Sequence, residues 1–217
     1  FLSERICMDK TTVEENIKKG ITPVYILHDA VFAVINEKNP ALENILKNGV
    51  IKQKFLDFWV DGSIKAWDEV AGSKVNKPIH LFTRSDSCGA AQSWAGYLGK
   101  KQEDLKGIGV YGDPGLLEAV KRDAIGIGYN NFSYVFSRDG ALANGIRLVP
   151  IDSNENGKAD SDEIYTNRDE AVKAIRAGRY PATRKNYFFV KGKPAGLVRE
   201  FILFALSEEG VKIVDKV

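Results

Sequence analysis

The sequence predicts an α/β fold, and three observations carry that prediction. Short β-rich runs alternate with amphipathic helical stretches along most of the chain. Two of the helices have legible starts. The composition is that of a globular protein, with 44% hydrophobic and 28% charged residues among 217. That is enough chain for one large domain or two small lobes with a sizeable core.

In chain order, the first helix is expected over Thr12 to Lys19, followed by strands over Pro23 to Leu27 and Val31 to Asn36. Helical periodicity returns over Pro40 to Lys47 and Ile51 to Phe58, and a strand is expected over Ile79 to Thr83. Next comes a helix over Ala90 to Leu98, with Asp86 and Ser87 ahead of it as caps and Ala91, Trp94, Ala95 and Leu98 on one face. Asp113-Pro114-Gly115 predicts another helix start, with Asp113 as cap and a helix over Leu116 to Arg122. Strands are expected over Gly126 to Tyr129, Ser133 to Phe136 and Ile146 to Pro150. The polar stretch Asp152 to Asn167 reads as a loop, followed by a helix over Arg168 to Ala177 and a strand over Tyr187 to Val190. Helices over Leu197 to Leu206 and Glu208 to Val217 complete the chain.

Charge narrows the function classes. With 31 basic and 29 acidic residues the net charge is +2, so there is no global field to hold nucleic acid, and any anion site must be local. No apolar run reaches the roughly 18 residues of a membrane span. The abrupt opening Phe1-Leu2-Ser3-Glu4-Arg5 reads as the end of a strand, so an N-terminal segment bearing an export signal is expected to precede it. Cys7 and Cys88 are expected as free thiols, although their spacing alone leaves a disulfide open.

The strongest chemical constellation is Arg84-Ser85-Asp86-Ser87-Cys88-Gly89-Ala90-Ala91, lying between a predicted strand and a predicted helix. A helix N-terminus offers unpaired N–H groups and the positive end of a dipole to an anion. Arg84 adds a planar, permanently charged fork suited to phosphate or sulfate oxygens, and Asp86 would hold that fork or accept a proton from an oxyanion. A capped helix beside a surface arginine is the plainer interpretation of the same residues.

Arg84-x-Asp86-Ser87-x-Gly89 resembles the phosphate-contacting loop of the phosphate ABC-transporter binding proteins. Further segments resemble that family in the same order. They are Leu2 to Arg5, Ala30 to Asn36, Gly62-Ser63-Ile64-Lys65-Ala66-Trp67, Ala124 to Tyr129, Arg179-Tyr180-Pro181, Tyr187 to Val190 and Leu206 to Gly210. The resemblance implies a two-lobe type II periplasmic-binding-protein fold, with mixed sheets flanked by helices and the anion held between the lobes. Lobe one would comprise 1–78 and 184–217, and lobe two 79–183. It also implies a non-enzymatic, extracytoplasmic receptor for an oxyanion, first of all inorganic phosphate. Such a receptor would hand its ligand to an ABC permease and be anchored, if at all, through the segment ahead of Phe1. Carried over by position, Arg84 is the charged clamp, Asp86 its orienting carboxylate, and Glu4 the proton-accepting acid with Ser3 beside it. Ser87, Cys88, Gly89 and Ala90 supply the remaining anion contacts. Cys88 and Ala90 stand where hydroxyl donors are usual; a thiol is a weaker donor and Ala has none, so a weakened site or another oxyanion is foreseen. These departures also motivate an alternative, a surface or sensor module that keeps the fold without transport.

A second constellation is independent of the first. Asp152-Ser153-Asn154-Glu155-Asn156-Gly157-Lys158-Ala159-Asp160-Ser161-Asp162-Glu163 fits the calcium-loop pattern D-x-[DN]-x-[DN]-G-x5-E. The expected ligands of a structural calcium ion are Asp152, Asn154, Asn156, the Lys158 carbonyl, Asp160 and Glu163, with Gly157 permitting the sharp turn. No helix leads into the loop, so an isolated staple is expected rather than a paired EF-hand; an acidic solvated loop is the plainer interpretation.

Other signals are weaker. Gly107-Ile108-Gly109-Val110-Tyr111-Gly112 matches G-x-G-x-x-G but lacks the preceding strand and following acid of a dinucleotide site, so it reads as a turn, and no organic cofactor is expected. A Cys88 nucleophile would need His28 or His80 as base, and neither neighbours it in sequence. Trp59, Trp67 and Trp94 read as core.

Overall fold

A computed structural model describes residues 10–214, with side-chain burial from Glu14 onward. Ser3, Glu4 and Cys7 lie outside the described residues. The contacts divide the chain into two compact units. One is Ala30–Thr183; the other joins the residues before Ala30 to those after Thr183. The chain passes between them within two strands, β1 (Ile21–Asn36) and β6 (Thr183–Lys191). The expected lobe boundary at 183/184 coincides with the second passage. Residues 30–78 group with the middle of the chain, whereas the sequence reading placed them in lobe one.

Within Ala30–Thr183 the sheet runs β3 (Ile108–Val110), β2 (His80–Arg84), β4 (Gly126–Asn131), β1, β5 (Ile146–Leu148). β2 is parallel to β3 and β4, while β1 is antiparallel to β4 and β5, so the sheet is mixed. The C-terminal half of β1, Ala30 to Asn36, is buried at every position. That fits its near-continuous apolar run and its central place in the sheet. The two strands expected at 23–27 and 31–36 are one strand of 16 residues. The polar interruption His28-Asp29 does not break it, because Arg184 on β6 donates its Nε hydrogen bond to Asp29 Oδ2 at 3.0 Å.

Helix α2 (Leu42–Asn48) and α3 (Lys52–Leu56) lead into a π-helical turn, Asp57–Asp61. That turn delivers Phe58 and Trp59 to the core beside Phe55. α4 (Gly89–Tyr97) adds Trp94, whose ring centroid lies 5.3 Å from Trp59 and which stacks on Tyr129 of β4 at 6.0 Å. On the far side of the same core, Tyr180 stacks on Phe32 at 4.3 Å, and its hydroxyl donates to the Val31 carbonyl at 2.8 Å. Trp59, Trp67 and Trp94 are all fully buried, as the sequence reading expected. α5 (Gly112–Arg122) lies directly on β4. A side chain at Gly128 would meet Leu116 Cδ2 at 2.6 Å and Val120 Cγ2 at 2.9 Å, so the close approach requires glycine.

Two elements differ from expectation. Ser133 to Phe136, expected as a strand, lies mostly in a short helix, α6 (Phe132–Val135). Its aromatic and β-branched residues favour a strand locally, but here Phe132 and Phe136 pack onto Phe32, and one helical turn brings both there. Gly107 to Gly112, expected as a turn, contains the edge strand β3, which pairs with β2 from Phe82↔Ile108 to Arg84↔Val110. Two exposed positions out of three and a glycine at its centre hid that strand from a periodicity argument.

The other unit holds α1 (Lys10–Lys18), the first half of β1, most of β6, α8 (Gly196–Ala205) and α9 (Glu208–Val214). The remaining helix, α7 (Arg168–Arg176), belongs to Ala30–Thr183. Among the described residues no helix is long and apolar enough to cross a membrane.

Candidate anion site

β2 ends at Arg84, and the chain turns through Ser85–Cys88 into α4. Arg84 is a charged residue inside the fold, its side chain only 5% exposed. A buried guanidinium must find acceptors, and it has two carboxylates. Nε and Nη2 donate to Asp86 Oδ1 and Oδ2 at 2.8 and 2.6 Å, a bidentate pair. On the other side Nη1 forms an ion pair with Asp113 Oδ1 at 2.7 Å. Burial alone would lower the Arg84 pKa, but the hydrogen bond to Asp86 and the charge of Asp113 outweigh it, and the net direction is up. Arg84 therefore stays cationic. Its hydrogen bond holds the Asp86 carboxyl down to about 2.

The supports of the loop come from distant parts of the chain. The Tyr129 hydroxyl accepts the Arg84 N–H at 3.2 Å and shares a hydrogen bond with Thr83 Oγ1 at 2.8 Å. This explains why an Ile-Gly-Tyr strand accompanies the Arg84 loop. Gln102, in the 3-10 turn Gln102–Asp104, braces the other side: Nε2 donates to the Asp86 carbonyl at 2.7 Å and Oε1 accepts the Cys88 N–H at 3.1 Å. The Gly112 N–H donates to Asp86 Oδ1 at 3.2 Å, tying the start of α5 to the same carboxylate.

Three details correct the sequence reading. The cap of α4 is Cys88, whose Sγ accepts the Ala91 N–H at 3.4 Å; Asp86 and Ser87 stand too far ahead of Gly89, and the Asp86 carboxylate is committed to Arg84. The Cys88 N–H, expected to meet the anion, is taken by Gln102. Asp113 is not a cap, because α5 begins one residue before it, and its carboxylate faces Arg84 instead. Asp113 and Gln102 are the site residues that sequence reasoning missed. The acid in Asp113-Pro114-Gly115 was the available signal for one; nothing marks Gln102. Ser87 is exposed, Gly89 half-buried and Ala90 buried at the start of α4.

Cys88 carries a free thiol, and burial pushes its pKa up, opposite to what a nucleophile needs. The two histidines are engaged elsewhere, His28 with the Tyr25 hydroxyl at 3.2 Å and His80 with Asp123.

The 152–163 loop closes on itself. Asp152, 1% exposed, accepts the Asn156 N–H at 3.1 Å and the Gly157 N–H at 2.9 Å. Glu163 accepts the Ser153 N–H at 2.7 Å and the Asp160 N–H at 3.2 Å. Asp160 is met by Lys158 Nζ at 2.9 Å and by the amide groups of Asn154 and Asn156 at 2.9 and 2.7 Å. Among the described residues, no group of three or more His, Cys, Asp or Glu side chains is gathered as a metal cluster.

The mixed sheet flanked by helices is the architecture of the type II periplasmic binding proteins. A family profile, PBP superfamily domain, matches residues 3–209, and the chain belongs to that superfamily. Solved structures share the fold at low identity. One is a protein assigned as a phosphate ABC transporter substrate-binding protein from Clostridium perfringens, with bound phosphate. It matches with a TM-score of 0.68 at 21% identity over 99% of this chain and 75% of its own. An ABC-type phosphate transport receptor from Vibrio cholerae gives 0.68 at 15%, over 98% of this chain and 75% of its own. A human phosphate-binding apolipoprotein gives 0.62 at 13%, over 96% and 72%. A search of curated proteins finds no match.

Proposed function

We propose that this chain acts as an extracytoplasmic solute-binding protein that captures an oxyanion, inorganic phosphate first, for an ABC permease. The observation that carries the reading is Arg84, a buried permanent cation at the turn from β2 into α4, held in one orientation by Asp86. Fixed guanidinium forks suit tetrahedral oxyanions. The solved relatives named above include one with bound phosphate and an ABC-type phosphate transport receptor. The carboxylates of Asp86 and Asp113 together outweigh the single charge of Arg84. An incoming anion that bears a proton can donate it to a carboxylate, whereas sulfate, fully deprotonated, would meet repulsion. The reading is of capture and release, with no bond made or broken.

Calorimetric titration of phosphate into the complete protein tests this. Saturable binding at micromolar affinity or tighter, abolished in Arg84→Ala, is the expected result. Unchanged affinity in Arg84→Ala would remove the site, and absence of heat in the wild type would favour the non-transport surface or sensor module.

A calcium ion in the 152–163 loop is a separate proposal. It is supported by Glu163, whose two carboxylate oxygens reach back to the Ser153 and Asp160 N–H groups and close the calcium-type sequence. Binding would require Lys158 to leave Asp160. Calcium at 100 times its dissociation constant should then stabilise the fold by about 2.7 kcal/mol. An identical melting temperature in millimolar calcium and in chelator would end the proposal.

A further inference from the structure

We infer that Tyr111 is a ligand-contacting residue beside the Arg84 loop, and that it makes this a site for phosphate monoesters, with the phosphoryl group on Arg84 and the organic group on the tyrosine ring. The inference rests on the oxyanion reading proposed above and deepens it by naming what else the ligand carries. The placement follows from the sheet. β3 lies along β2 with Val110 opposite Arg84, and the Val110 carbonyl accepts the Ser85 N–H at 3.0 Å. Directly after Tyr111, the Gly112 N–H donates to Asp86 Oδ1 at 3.2 Å, and Asp113 pairs with Arg84 at 2.7 Å. Tyr111 stands between these ties, so its backbone is held against the anion loop on both sides. Fully buried Asn130 adds another tie, donating Nδ2 to the Asp113 carbonyl at 2.8 Å.

The Tyr111 side chain is nevertheless 79% exposed, more than any other aromatic residue among those described, and it makes no capping hydrogen bond to α5. Ile108, on the same edge strand, is 54% exposed. An aromatic ring on a fixed backbone is a contact surface that loses little conformational entropy on binding, and tyrosine offers an apolar face with a polar tip. The polar side of the site argues the same way. Arg84 already has Nε and Nη2 on Asp86 and Nη1 on Asp113. The Cys88 N–H is taken by Gln102, the Cys88 thiol accepts from Ala91, and Ala90 carries only a methyl group. A bare tetrahedral anion must draw all its affinity from polar contacts, and this loop has spent many of its own internally. A monoester keeps the phosphoryl oxygens and, as the monoanion, a proton that a carboxylate can accept in a hydrogen bond. It adds an organic group whose apolar surface Tyr111 can cover.

Calorimetry with two ligands, inorganic phosphate and phenyl phosphate, tests this in the wild type, Tyr111→Ala and Tyr111→Phe. The wild type should bind phenyl phosphate about tenfold more tightly than inorganic phosphate. Tyr111→Ala should abolish that preference while changing phosphate affinity by less than about twofold. Tyr111→Phe should keep the preference, because the ring and not the hydroxyl supplies it. Because Tyr111 is exposed, neither substitution opens a cavity in the core. Equal affinity for the two ligands in the wild type, or tighter binding of inorganic phosphate, would overturn the inference and leave the phosphate receptor standing. A preference that survives Tyr111→Ala would overturn it as well. So would an equal loss for both ligands in that variant, which would make Tyr111 a support of the loop. If neither ligand gives heat with the wild type, the oxyanion reading itself fails and this inference falls with it.

Discussion

Arg84 has two counter-charges where an exposed arginine would need none, and each has a separable consequence. The Asp86 pKa is lowered to about 2 by the hydrogen bond from Arg84. A carboxyl whose folded pKa is depressed contributes stability that is present above its unfolded value, near 4, and lost as pH falls toward 2. Solvent around the partly exposed carboxylate reduces that contribution to about 1 kcal/mol. Asp86→Asn should therefore lower stability at neutral pH and flatten its decline between about pH 4 and pH 2 in denaturant titrations. A parallel decline in variant and wild type would show that the pair does not set the acid limb. Asp113→Asn should act on selectivity. With one counter-charge removed, sulfate binding should strengthen by roughly tenfold, about 1.4 kcal/mol, and more than phosphate binding. Equal gains for both anions would contradict the assignment. At Cys88 the thiol already caps α4 through Ala91, a task a hydroxyl performs as well. Cys88→Ser should keep the fold and raise phosphate affinity by about tenfold, through a stronger donor to a charged ligand. The pairing of Arg84 with Asp86 was legible from one stretch of sequence. Asp113 and Gln102 were not, because their roles arise from how α5 and the 102–104 turn pack against that stretch.

At the scale of elements, what was legible followed from burial. The run Ala30 to Asn36 and the 91-94-95-98 spacing at α4 each read correctly because each faces one core. The failures lie where tertiary contacts outweigh local preference. Ser133 to Phe136 has strand-forming residues but turns helically to bring two phenylalanines onto Phe32. β3 gave no alternation because it lies at the edge of the sheet and is mostly exposed. The packing of α5 on β4 is the contact most sensitive to a single atom. Gly128→Ala would drive a methyl group into Leu116 and Val120, and overpacking of this kind costs about 1–3 kcal/mol. The melting temperature should fall by several degrees, with a matching loss in denaturant midpoint; an unchanged midpoint would mean that α5 can shift freely. Because α5 also carries Asp113, the same variant should disturb the Arg84–Asp113 pair.

For the whole molecule, the α/β class was legible from alternating patterns, and the superfamily match spans nearly all the chain. The division into units was less so. The family resemblance placed residues 30–78 in lobe one with what precedes them. Their packing joins them to the middle of the chain through the pairing of β1 with β4 and β5 and through the aromatic cluster of Phe55, Trp59 and Trp94. In β1 the polar pair His28-Asp29 stands at the boundary between the units, where the sequence reading took it for a break between two strands.

The central claim is that Arg84 is the cation that meets the oxyanion. The most direct measurement is the side-chain Nε–H resonance of Arg84, assigned through Arg84→Lys, in the complete protein as phosphate is added. A saturable shift of that resonance, tracking the calorimetric isotherm, is the predicted result. Calorimetric binding with the Arg84 resonance unmoved would place the anion elsewhere and contradict the account.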